Sequence, residues 1–288
     1  MWRNEFRIVY YSWEFDTLQS FYQEIIGLQQ MYGWYTSLID RGAKFPLGEN
    51  RLELICRKPT IPVGQAGMRL ETTDIEKFYS KLSTEPRVVF IENLHLTPEE
   101  YVFCIRDPVG NWIEVFQTIE DYNKNKKVCQ KNARLEGKKL NGLHSKENDL
   151  PYWAKDDGSE ILKDTFTAII YSDNPTGLLC FYRDGMKMPM VKSWTSDCGR
   201  INYRLKAASG FLDIRQSTDK TPKGPALLTI EAEDIDGCFN ELKARSDVTV
   251  LLGLTDTWYG DRIFQICDPE KNVTEILAYK RNLNHTRS

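Results

Sequence analysis

Phe103-Cys104-Ile105-Arg106-Asp107-Pro108-Val109-Gly110-Asn111-Trp112-Ile113-Glu114 returns later in the chain as Phe264-Gln265-Ile266-Cys267-Asp268-Pro269-Glu270-Lys271-Asn272-Val273-Thr274-Glu275. Asp107 to Asp268 is 161 residues, and so is Glu114 to Glu275. Upstream, Phe21-Tyr22 recurs as Phe181-Tyr182, Asp74-Ile75 as Asp234-Ile235 and Glu53 as Asp213, each 160 residues later. An offset this constant over half a chain means two copies of one domain.

Each copy is itself double. Residues 5–12 are rich in β-branched and aromatic types and read as a strand. Phe15, Leu18, Phe21, Tyr22, Ile25 and Ile26 then follow at helical spacing, and Gly27 ends the run. Strands are predicted near 30–38, 43–47 and 51–57. A shorter echo begins at once, with a strand over Gly67–Thr72, a helix from Asp74 (a good N-cap) to Leu82, and strands at 87–92, 101–106 and 112–117. The second copy repeats the scheme: strand 165–171, helix 175–184, strands to 216, then strand 226–232, helix 234–245 and strands to 279. The fold class is therefore α+β, built from four βαβββ units. The domains read as 1–120 and 161–288, joined by a polar linker over 121–160 with a helical turn near 127–137.

Composition narrows the function. Hydrophobic residues are 41% and charged residues 27% of 288, the balance of a globular protein. A net charge of −3, with the only basic run in the linker between Lys124 and Lys139, argues against nucleic acid as a partner. No apolar stretch reaches the ~18–20 residues of a membrane span, and Met1-Trp2-Arg3-Asn4-Glu5 lacks a signal peptide's apolar core. Seven cysteines without a Cys-x-x-Cys pair, among them Cys56, Cys104, Cys180 and Cys267 in apolar surroundings, read as reduced thiols in a cytoplasmic protein.

Strand, Phe-Tyr helix, Gly, three further strands and a last strand entered through Asp-Pro-x-Gly-Asn-x-x-Glu together resemble the vicinal oxygen chelate superfamily. That group includes glyoxalase I, extradiol dioxygenases and the bleomycin-resistance proteins. The resemblance covers about 5–118 and 164–280. Lys271 stands where the second motif would have its Gly, which leaves the form of that turn open. The resemblance implies two tandem glyoxalase-like domains, in which paired βαβββ units curve mixed sheets around a cleft. Units could pair within a copy or across copies. It also implies metal ligands, His, Gln or Glu, on the first and last strands of each unit.

Carried over residue by residue, those positions fall at Arg7, Glu53, Gly67 or Met68, and Glu114 in the first copy. In the second they fall at Thr167, Asp213, Leu227 and Glu275. Carboxylates persist on the last strands, whereas no His or Gln stands on the first strands. The three histidines lie elsewhere, His95 in an expected loop, His144 in the linker and His285 in the tail. No metal site is therefore expected, although carboxylates with water or substrate oxygens could hold a hard divalent ion.

Glu53 with Glu114, and Asp213 with Glu275, are expected to face one another. Arg7 is expected to supply a fixed positive charge, pairing with Glu114 or clamping a ligand carboxylate. Aromatic residues are 12% of the chain, and Trp258-Tyr259 resembles a segment that borders the family's cleft. The candidate ligand-binding residues are thus Arg7, Glu53, Glu114, Asp213, Trp258, Tyr259 and Glu275. No catalytic residue is assigned.

The reading reached is a protein that binds or sequesters a small organic molecule, resembling the bleomycin-resistance branch and lacking the usual metal centre. Two rivals stand beside it: a divalent-metal lyase, isomerase or dioxygenase of the same superfamily, and a structural or regulatory protein forming homo-oligomers or docking a partner.

Overall fold

The computed structural model describes residues 2–59, 63–128, 162–196 and 198–279. The first unit comprises β1 (Trp2–Tyr11), α1 (Phe15–Ser20) prolonged by a π-helical turn (Phe21–Ile26), β2 (Tyr32–Ser37), β3 (Asp40–Leu47) and β4 (Asn50–Cys56). The second comprises β5 (Gly67–Thr72), α2 (Ile75–Ser83), β6 (Val89–Leu96), β7 (Glu100–Arg106) and β8 (Trp112–Thr118), followed by a helical segment α3 (119–128). The third holds β9 (Leu162–Ser172), α4 (Pro175–Cys180) with its own π-helical turn (Phe181–Gly185), β10 (Met190–Thr195), β11 (Ile201–Ala207) and β12 (Gly210–Gln216). The fourth holds β13 (Leu227–Ala232), α5 (Ile235–Lys243), β14 (Thr249–Asp256), β15 (Arg262–Cys267) and β16 (Val273–Ala278).

Local chemistry explains these elements. Asp74 accepts from the Lys77 N–H and Asp234 from the Gly237 N–H, so each short helix is capped by the aspartate the sequence offers. Along β8 the buried Ile113, Val115 and Gln117 alternate with the less buried Trp112, Glu114 and Phe116, the period of a strand with two different faces. The buried faces of both sheets and the helices share one continuous apolar core, in which Phe6, Tyr22, Phe103, Phe166 and Phe264 are among the large side chains fully enclosed.

Units pair across the copies. One eight-stranded sheet runs β14-β15-β16-β13-β1-β4-β3-β2, and the other runs β10-β11-β12-β9-β5-β8-β7-β6. The first unit thus joins the fourth through antiparallel β1 and β13, making what we call the outer cleft. The second joins the third through β5 and β9, making the inner cleft. Neither copy closes a sheet by itself.

The repeated Asp-Pro-x-x-Asn turn fastens one sheet to the other. Asp107 accepts from the Val109 and Asn111 N–H groups, from Asn111 Nδ2 at 2.8 Å and from Tyr22 Oη at 2.9 Å. Tyr22 belongs to the helix of the first unit, so this contact crosses between sheets. Asp268 repeats the arrangement with Glu270, Asn272 and Tyr182.

The second turn keeps the form of the first despite Lys271. Gly110 has φ +99° and Lys271 has φ +70°. A side chain in that left-handed conformation costs roughly 1–2 kcal/mol, partly offset by the greater unfolded-state freedom of glycine. Lys271→Gly is accordingly expected to raise stability by about 0.5–1 kcal/mol, read as a higher denaturant midpoint with an unchanged m-value.

Two local expectations change. His95 lies on edge strand β6, exposed, where Val89–Leu96 extends further than the hydrophobic run suggested. Cys180 is exposed on its helix, unlike the buried Cys56, Cys104 and Cys267. A helix begins at residue 119 and is described as far as 128; nearly all of the turn predicted near 127–137 and most of the linker 121–160 lie outside the described residues, as do His144 and His285. No described helix is long and apolar enough to cross a membrane.

Candidate functional site

Register fixes which side chains meet at the centre of each cleft. In the outer cleft Arg7 pairs with Thr229 across the β1–β13 seam, Thr229 neighbours Glu275, and Glu53 sits on the adjoining β4. In the inner cleft Arg69 pairs with Thr167 across β5–β9, and its parallel partner is Glu114, with Asp213 on β12. The first-strand positions of the second and fourth units are therefore Arg69 and Thr229, two residues beyond Gly67 and Leu227. Arg69 and Thr229 are 160 apart, as are Arg7 and Thr167. Gly67 and Leu227 share that offset, so the usable signal is the return of Arg7 as Arg69 and of Thr167 as Thr229, each 62 residues on.

The expected carboxylate pairs are exchanged. Glu53 shares its cleft with Glu275, not Glu114, because the first unit pairs with the fourth. Glu114 shares the inner cleft with Asp213 for the same reason. Arg7 does not reach Glu114: its Nη1 donates to Glu53 Oε2 at 2.7 Å, and its remaining nitrogens meet Glu5 and Tyr279.

The inner cleft is filled by its own ions. Arg204 grips Asp213 through two bonds of 2.6 and 2.8 Å. Arg215 spans Asp213 at 3.1 Å and Glu114 at 2.5 and 3.2 Å. Arg69, 4% exposed, lies against Glu114 and Glu100, with its guanidinium 4.0 Å above the Phe116 ring. Trp112 and Tyr171 meet edge-on at the same place, and Trp194 lies beside Arg204 and Arg215. Burial alone would raise Glu114, yet Arg215 and Arg69 hold it far below the usual carboxylate range. Asp213 is also lowered: burial opposes this, while Arg204 and Arg215 prevail. Every carboxylate here has a guanidinium.

The outer cleft is built differently. Its floor is ionic: Arg7 binds Glu53 and Glu5, Arg51 meets Glu5 at 3.1 Å, and Tyr279 Oη donates to Glu5 at 2.8 Å. Above the floor, Glu275 accepts a single hydrogen bond among the described residues, from Gln265 Nε2 at 2.9 Å. Burial pushes the Glu275 carboxyl above its ordinary range; Gln265 opposes this and Glu53 adds to it. Lys44 Nζ stands 3.5 Å from Glu53 and 6.0 Å from the Tyr32 and Trp34 ring centres. Burial lowers the Lys44 amine, only partly offset by Glu53. Val9, Ile55, Leu227 and Val273 form an apolar layer beside these groups, with Tyr11, Trp34 and Val63 packed on it. Gly42 is required there, since an added Cβ would lie 1.9 Å from the Trp34 indole.

Trp258 and Tyr259 part company. Tyr259 is close enough to Glu275 and Glu53 for their charges to help raise its phenol, after burial. Trp258 is 95% exposed beside it and stands clear of the cleft.

Glu275 makes a prediction about stability. Folding favours its protonated form, so this group stabilises the wild type as pH falls through its folded pKa toward the ordinary value of about 4.3. Glu275→Gln removes the charge repulsion and can keep the bond to Gln265. It is expected to raise stability at pH 7 by about 0.5–2 kcal/mol and to abolish that pH component, as measured by urea titrations from pH 4 to 8.

No family model matches the sequence, and no curated protein matches it. Solved structures do match along almost the whole chain. Glyoxalase I from Zea mays aligns with a TM-score of 0.67 at 12% identity, covering 97% of this chain and 93% of its own. A candidate dioxygenase from Bacillus subtilis aligns with a TM-score of 0.60 at 12% identity, covering 96% and 85%. The chain has the tandem vicinal oxygen chelate fold. At such identities the likeness carries architecture and leaves chemistry to the residues in place.

Those residues do not fit the metal centre that this vicinal oxygen chelate fold implies. Each cleft offers two carboxylates, a threonine and an arginine at the four central positions. A guanidinium has a permanent charge and no lone pair to give, so it competes with a cation. Among the described residues no group of three or more His, Cys, Asp or Glu side chains is arranged to hold an ion.

Proposed function

We propose that this chain binds or sequesters a small organic molecule in the outer cleft, without the usual metal centre, in the manner of the bleomycin-resistance branch. The observation that carries this reading is the inequality of the two clefts. In the inner one every carboxylate is held by arginine, which suits a scaffold. In the outer one Glu275 retains acceptor capacity beside an apolar layer and the aromatic Tyr11, Trp34 and Tyr259. Flat apolar walls with few polar groups suit a small ligand, and Glu275 suits a hydrogen-bond donor or cationic amine on it. Arg7 takes the role a metal would have, as the fixed positive charge against Glu53.

Titration of tryptophan fluorescence with a panel of aromatic amines tests this. One site per chain is expected, with Glu275→Gln weakening binding at least ~10-fold, the order of a lost charge-assisted hydrogen bond. Glu114→Gln should leave affinity unchanged. A stoichiometric divalent ion in protein purified without chelator, lost on substituting Glu53 or Glu275, would overturn the reading.

A further inference from the structure

We infer that the outer cleft is matched to a zwitterion on an aromatic body, its cationic end at Glu275 and its anionic end at Lys44. The inference rests on the reading that this cleft binds a small molecule, and it goes further by naming both ends of the ligand.

Two polar groups in the cleft are left with spare capacity, and they are of opposite charge. Lys44 is largely enclosed, with 18% of its side chain exposed, yet its ammonium donates no hydrogen bond among the described residues; its ionic contact with Glu53 is 3.5 Å. Glu53 is already satisfied by Arg7 at 2.7 Å, so Lys44 is the second and weaker cation on that carboxylate. Among the described residues Glu275 accepts from Gln265 alone. Both side chains are half-buried, so solvent meets in the free protein what the protein leaves open, and a ligand that displaces that solvent must bring the matching group. Unmet capacity on one residue could be a local accident. Two such residues of opposite sign in one cleft form a complementary pair.

Their positions fit a single ligand. Lys44 is on β3 and Glu275 on β16, with β13, β1 and β4 between them in the sheet order. The charges of Lys44 and Glu275 are nevertheless near enough to influence one another, which places both side chains on one face of the sheet. The aromatic surface lies with them: Lys44 is over Tyr32 and Trp34, and Tyr259 is beside Glu275. The fixed charges supply both signs, so a ligand bearing one charge would leave the opposite wall unmatched. Burial also lowers Lys44 and raises Glu275, so each is short of the counter-charge such a ligand would bring.

The inner cleft provides the internal control. There the corresponding carboxylates, Asp213 and Glu114, are bonded by Arg204 and Arg215, so a zwitterion would have to displace ions already in place.

Four indole probes separate the outcomes: indole, tryptamine, indole-3-propionate and tryptophan, titrated calorimetrically into the full chain. Tryptophan is expected to bind at least ~10-fold more tightly than either singly charged probe, as one additional charge-assisted contact would give. Lys44→Met should erase its advantage over tryptamine, and Glu275→Gln its advantage over indole-3-propionate. Lys44→Arg, which keeps the charge, should preserve the order. Tryptamine binding as well as tryptophan, and indifferent to Lys44→Met, would overturn the zwitterion while leaving the cleft a binding site. Failure of all four probes to bind at millimolar concentration would overturn both. The ranking on the unaltered chain decides the matter even if a variant folds poorly.

Discussion

Arg69→Met is expected to destabilise the fold by roughly 3–5 kcal/mol, the usual consequence of removing one partner from a buried ion pair. Arg69 is the central cation of the second unit, held against Glu114 and Glu100 and stacked on Phe116. Methionine would fill much of the volume but leave Glu114 with Arg215 alone. The companion substitution distinguishes charge from packing. Arg69→Met combined with Glu114→Gln should recover more than half of the loss, because neutralising both members of a buried pair is often close to neutral. Equilibrium urea unfolding of the two single variants and the double variant measures the coupling. A loss under ~1 kcal/mol for Arg69→Met, the scale of an exposed ion pair, would show that the inner-cleft network is not structural.

Glu114 and Asp213 are lowered in the fold, so they stabilise it above the ordinary carboxyl range and lose that contribution as pH falls through and below about 4. Acid unfolding of the wild type should therefore steepen there, and in Arg69→Met it should become shallower.

Asp107→Ala is the second large effect, expected at roughly 3–5 kcal/mol. One carboxylate closes the Asp-Pro-Val-Gly-Asn turn and accepts the Tyr22 hydroxyl from the other sheet. Alanine leaves several enclosed donors unsatisfied, each costing about 1–3 kcal/mol and not additively. Tyr22→Phe removes only the contact between sheets and should cost about 1 kcal/mol. If the two substitutions cost the same, the fastening between sheets, rather than the turn, is what Asp107 supports. The matching pair at Asp268 and Tyr182 should behave alike. The Asp and Asn of the motif that most strongly carried the family resemblance thus form a structural clamp, while its terminal Glu114 or Glu275 enters the cleft.

Much of the local structure was legible because it depends on neighbours in sequence. The helix caps at Asp74 and Asp234, the stop at Gly27 and the alternation along β8 all follow from side chains within a turn or two. The site was legible in part. Carboxylates at Glu53, Glu114, Asp213 and Glu275 could be read from the strand pattern, but Arg69 was missed by one or two positions and Thr229 by two. A strand's start is poorly marked in sequence, and a slip of two leaves the same face inward. Lys44 and Gln265 gave no signal, since an isolated Lys or Gln on a strand is ordinary until its neighbours across the sheet are known.

By itself the sequence determined four βαβββ units, their order, and the acidic residues on the last strands, all of which are properties of short windows and of a repeat. Only the tertiary structure decided which unit meets which. β1 presents the same kind of edge to β13 as it would to β5, and both pairings would bury equivalent faces, so no local preference separates them. The choice comes from how the whole chain packs into one core. It placed Glu275 opposite Lys44 and Glu53 instead of beside Asp213, and Glu114 among arginines, so that two clefts drawn from one repeated design differ in what they can hold.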